Sequence, residues 1–150
     1  MRTLSLSRFT GLLTTLSIVA SAAAGSVYSW QHKDRADSWA LTDVTGIDYG
    51  AYHGVTLRTD GTVRAWGTDY HGSTKVPANL TQMVKVSAGY EHSLCLRTSG
   101  TVRAWGANGD GQRIVPDGLQ GVVDISAGWH HNLAVKTDVK VVGWGRNDDG

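Results

Sequence analysis

Cysteine is nearly absent. Cys95 is the single one in 150 residues, so no intramolecular disulfide can form and stability must come from packing. Proline is scarce too, with only Pro77 and Pro116. No block of like charge occurs: 14 Lys and Arg stand against 13 Asp and Glu, for a net charge of +1. This argues against a nucleic-acid partner or a membrane-surface role, since both need a concentrated positive field. One apolar run is present, from Gly11 to Ala24, and it falls short of the ~20 residues that span a bilayer. Arg2 and Arg8 precede it, and Ala20-Ser21-Ala22 or Ala22-Ala23-Ala24 could serve for cleavage. Residues 1–24 therefore read as a secretory signal peptide. The mature chain is expected to be secreted or periplasmic, without stable membrane insertion.

What the chain has in abundance is repetition. Trp-Gly recurs every 39 residues, at Trp66-Gly67, Trp105-Gly106 and Trp144-Gly145. Gly50, Gly89 and Gly128 keep the same phase, as do His53, His92 and His131, and Leu41, Leu80 and Leu119. Thr62 to Gly67 is copied residue for residue at Thr101 to Gly106. A period near 40 residues indicates a propeller or a solenoid. Glycine, at 19 residues, supplies the turns between short strands.

In the second copy the pattern predicts strands over Met83–Ala88, His92–Thr98 and Thr101–Trp105. Asp60-Gly61 and Ser99-Gly100 mark hairpin turns between the second and third strands. The third copy has Asp138-Val139 there, and a β-branched residue resists positive φ, so that turn must differ or be strained. A short outer strand ending at Pro77 or Pro116 is also expected. Leu94 and Leu96 alternate with small residues, as in a sheet covered on both faces. Cys95 shares its phase with Thr56 and Ala134, and so reads as a small buried residue. The Trp residues are expected to fill the gaps between adjacent sheets.

The expected architecture is all-β: an incomplete propeller of three to four antiparallel blades. A partial blade spans 25–40, and repeats begin near 41, 80 and 119. Gly150 falls in mid-repeat, so the chain is expected to be a fragment.

Gly-x-x-His-x-Leu, then Asp-Gly-Thr-Val, then Trp-Gly-x-Asn-x-x-Gly-Gln and Val-Pro together resemble the regulator of chromosome condensation repeat. Gly111-Gln112 supplies the Gly-Gln step, and Gly72-Ser73 departs from it. The resemblance covers residues 41 to 150 and implies four-stranded blades, usually seven. The short period resembles bacterial secreted members, including a β-lactamase inhibitor protein. In those inhibitor-like members, aromatic residues of the Gly-x-x-His loop meet the protein partner. Here Tyr52 stands directly before its His, whereas Tyr90 and Trp129 stand one place further back.

Residues that repeat build the repeat, and residues that do not are free to carry function. His53, His92 and His131 fall one to a blade, too far apart to share a metal ion at ~2.1 Å, and read as histidines bonded to backbone. Arg58, Arg97 and Lys136 read as solvated strand ends. Tyr52, Tyr90, Glu91, Trp129 and His130 are the expected partner-binding residues, with the three aromatics exposed on one side. Asp69, Tyr70, His71 and Asp110 are assigned to a second loop face. The expected function is protein binding without catalysis, cofactor or metal. A carbohydrate-binding lectin and a hydrolase using Glu91 and His130 are the alternatives. Against catalysis, no nucleophile motif or metal-ligand cluster accompanies that pair.

Overall fold

The computed structural model describes residues 43–148 and two short strands, β1 (Val19–Ser21) and β2 (Ser26–Tyr28), which pair antiparallel. The remainder of the expected signal peptide, and of the partial blade after Tyr28, lies outside the described residues. From residue 43 onward the 39-residue period becomes three antiparallel sheets of three strands each. The first holds β3 (Val44–Tyr49), β4 (His53–Arg58) and β5 (Val63–Gly67). The second holds β6 (Met83–Ala88), β7 (His92–Arg97) and β8 (Val102–Gly106). The third holds β9 (Val122–Ala127), β10 (His131–Lys136) and β11 (Val141–Gly145). In each sheet the His of the middle strand pairs with the Gly of Trp-Gly: His53 with Gly67, His92 with Gly106, His131 with Gly145. The first strands β3, β6 and β9 lie side by side, and the sheets fan out from them as propeller blades.

Two apolar layers glue the blades together. Val55, Leu57 and Val63 of the first blade meet Met83, Val86, Cys95 and Trp105 of the second. Leu94, Leu96 and Val102 of the second meet Val122, Ile125 and Ala134 of the third. The middle strand β7 thus sends Leu94 and Leu96 one way and Cys95 the other, as its alternation predicts. Cys95 is fully buried, and that burial pushes its thiol up to about 12, which makes it inert.

The fourth, outer strand is not formed. The segments around Pro77 and Pro116 run as turns, closed by bonds such as Lys75 N to Gly72 O and Ile114 N to Gly111 O. Proline lacks the N–H a ladder needs. These segments instead place Val76 and Leu80 over one apolar layer, and Val115 and Leu119 over the other.

Polar bonds fix the blade stacking. Trp105 donates from Nε1 to the Ser73 carbonyl at 2.9 Å, and Trp144 to the Gln112 carbonyl at 3.0 Å. Trp105 is buried, whereas Trp66 and Trp144 are half-buried. Ser87 donates to Asp48 Oδ2 in the preceding blade and accepts from Ala127 N in the following one, so one hydroxyl ties three blades. The Asp138-Val139 turn keeps the geometry of its glycine counterparts. Val139 has φ +60, against +75 at both Gly61 and Gly100, so its strain is retained at a side chain largely in solvent.

Candidate functional site: an aromatic strip across the blade loops

Each Gly-x-x-His loop is held by its first and last residues. Gly89 N donates to His92 O at 2.8 Å, and a Cβ on Gly89 would sit 2.2 Å from the His92 ring and 2.5 Å from the Gly128 carbonyl. Only glycine allows the histidine ring and the next blade's loop to come that close. The histidines themselves reach across to the next blade. His53 Nε2 meets Ser93 Oγ, and His92 Nε2 meets Asn132 Oδ1, both at 2.7 Å. Asn132 in turn donates from Nδ2 to the Gln112 carbonyl, so its Oδ1 is the acceptor and His92 carries its proton on Nε2. The expected backbone partner is thus corrected for His53 and His92: each bonds a side chain of the neighbouring blade. His131, on the outer face of the third blade, is exposed. Burial is the main cause that lowers the pKa of His53, to about 4, and of His92.

On this mount the loop aromatics join into one strip. Tyr52 and Tyr90 share a hydrogen bond at 2.9 Å between hydroxyls, with ring centroids 5.2 Å apart edge to face. That bond raises the Tyr52 phenol above its ordinary range. Tyr90 continues to Trp129, with centroids at 5.6 Å, and to His130 at 5.5 Å. The one-residue offset between Tyr52 and Tyr90 in their loops does not separate the rings. Tyr52 and Tyr90 are half-buried against each other, while Trp129 is 73% exposed. The expected common side is found, but full exposure belongs to Trp129 alone.

The second loop face does not exist as a separate surface. Tyr70 packs edge-on against Tyr52 at 4.9 Å. His71 Nδ1 meets Glu91 Oε2 at 2.8 Å, and Asp110 Oδ2 lies 3.5 Å from His130 Nδ1. Topology explains the merger: the third strand of each blade runs antiparallel to the second, so it ends where the second begins. The loops after Trp-Gly and the Gly-x-x-His loops therefore share one edge of the propeller. Asp69 folds its own loop, accepting from Thr74 N at 3.1 Å and pairing with Lys75, and the Thr74 bond is the main cause that lowers its pKa.

Glu91 and His130 take different partners, His71 and Asp110, so the acid–base pair required for a hydrolase is divided between two contacts. Gln112, to which sequence reasoning assigned no role, is buried. Its Oε1 accepts from Asp110 N and its Nε2 donates to Asp110 Oδ2, shaping the loop that carries Asp110. The Gly-Gln step after Trp-Gly was the available signal for this role.

The regulator of chromosome condensation (RCC1) repeat matches residues 44–73, 83–112 and 122–150, one blade each. The chain belongs to this family. No curated protein sequence matches the chain. Among solved structures, this RCC1-repeat chain is similar to Prp20p from Saccharomyces cerevisiae, studied for its binding to Gsp1p and histones. The TM-score is 0.66 at 19% identity, over 83% of this chain and 40% of that one. Human WBSCR16 is similar at TM-score 0.69 and 16% identity, over 90% and 47%. The computationally designed Ika4 protein is similar at TM-score 0.54 and 14% identity, over 91% and 88%. The RCC1-repeat chain thus spans less than half the length of Prp20p and WBSCR16.

Proposed function

We propose that this chain is an exported RCC1-repeat module that binds a protein partner through the aromatic strip and performs no chemistry of its own. The observation that carries the reading is the contiguous run Tyr70, Tyr52, Tyr90 and Trp129 on one loop edge, with the Trp129 ring largely in solvent. An indole on a glycine-and-histidine mount loses little entropy on binding, and buried aromatics dominate protein interfaces. Export is supported by the pattern of Arg2, Arg8 and the apolar run Gly11 to Ala24.

The test is capture of a partner from the native extracellular or periplasmic milieu, with wild type and with Tyr90→Ala/Trp129→Ala. A specific protein held by wild type and lost by the double variant is the expected result. Equal capture by both would move the binding surface off this edge. A glycan retained in place of a protein would favour the lectin alternative, since sugars also stack on exposed indoles.

A further inference from the structure

The strip also has a chemical bias that narrows the partner. Its rings are in contact, with centroids 4.9 to 5.6 Å apart. No slot between them could enclose an ammonium group. A ligand must lie on top of the strip, against the open Trp129 face. The rim of the strip is acidic at both ends. Glu91 pairs with His71, in the loop whose Tyr70 packs on Tyr52, and Asp110 stands beside His130, whose ring abuts Tyr90. Each carboxylate uses one oxygen, Glu91 Oε2 on His71 and Asp110 Oδ2 on Gln112 and His130. Glu91 Oε1 and Asp110 Oδ1 have no hydrogen bond among the described residues. The cations of the same loops are mostly occupied: Lys75 pairs with Asp69, and Arg146 with Asp148, which leaves Arg113.

An exposed indole face beside a second ring, bordered by carboxylates, fits one side chain best. A guanidinium is flat, stacks on indole and phenol rings, and donates in a fork to a carboxylate. A lysine ammonium is a hydrated point charge and lacks the stacking contribution. We infer that the strip recognises an arginine-bearing segment of its partner, stacked on Trp129 and Tyr90 and bonded at Glu91 or Asp110. This rests on the protein-binding reading above and adds the chemistry of the contact.

Calorimetric titration of the full chain with amidated hexa-arginine, hexa-lysine and a neutral Gly-Ser hexamer tests it. At low salt hexa-arginine should bind at least about fivefold more tightly than hexa-lysine, and the neutral peptide should not register. Trp129→Ala and Glu91→Gln/Asp110→Asn should each weaken hexa-arginine about tenfold or more, with thermal unfolding unchanged apart from small surface effects. The indole N–H resonance lost in Trp129→Phe should be the one hexa-arginine shifts. Equal binding of the arginine and lysine peptides, or of wild type and either variant, overturns the inference. So does an indole shift with chitohexaose and none with hexa-arginine. A captured partner that depends on Trp129 while hexa-arginine fails to bind would overturn arginine recognition and leave protein binding standing.

Discussion

Acid should loosen the blade stack through His53 and His92. Both imidazoles are fully buried between blades, and burial holds His53 to a pKa of about 4 against an ordinary 6.5. The folded state therefore keeps the ring neutral while the unfolded state takes up a proton. Between pH 6.5 and 4 the unfolded chain binds more protons, so stability falls as pH falls through that window. With a folded pKa of about 4 and an unfolded one of 6.5, going from pH 7 to 4.5 costs on the order of 2 kcal/mol at His53 alone. His92 adds in the same direction. The assay is urea unfolding at intervals from pH 7 to 4.5, for wild type and His53→Gln. Glutamine can still donate to Ser93 Oγ but does not titrate in this range. The variant should start about 1 kcal/mol less stable at pH 7, from an imperfect hydrogen bond. It should then lose on the order of 2 kcal/mol less than wild type on acidification. Parallel pH profiles for the two proteins would refute the burial of a neutral His53.

Leu94 and Leu133 share a phase, but Leu94 is fully buried while Leu133 is 43% exposed. Leu94→Ala should cost ~3 kcal/mol and Leu133→Ala ~1 kcal/mol or less in urea melts. Equal costs would contradict the described stacking. Val139→Gly should stabilise by about 1 kcal/mol, as relief of left-handed strain outweighs the added freedom of the unfolded chain. No gain in melting temperature would mean the turn is unstrained. Trp129→Ala should cost ~2 kcal/mol of partner affinity while leaving unfolding nearly unchanged, measured by calorimetry against the captured partner.

The blades were legible because their determinants repeat. Period, Trp-Gly phase and the Leu94-Cys95-Leu96 alternation fix three strands per repeat and the two faces of the middle one. The partners between blades were less so. Ser93 and Asn132 bond the histidines from a position where the first blade has Gly54, and Asp48 caps Ser87 from a position of equal phase. Short polar residues that differ from copy to copy carry no periodic signal, and their role exists only once two blades meet. The outer strand failed for a related reason: Val-Pro resembles a strand end, but its valine is drawn onto the inter-blade core. Single side chains were legible as candidates for the surface. Their union into one strip followed from strand direction, which places two loop sets at one edge and which residue-by-residue reading left unused.

Hydrogen exchange of the full chain with and without its captured partner tests most directly that this edge is the binding surface. The predicted result is new protection in the loops around residues 50–53, 68–72, 89–92, 107–111 and 128–131. The hairpin turns at 59–62, 98–101 and 137–140, at the opposite edge, should be unchanged. Protection at those turns, with the Gly-x-x-His loops unaffected, would contradict it.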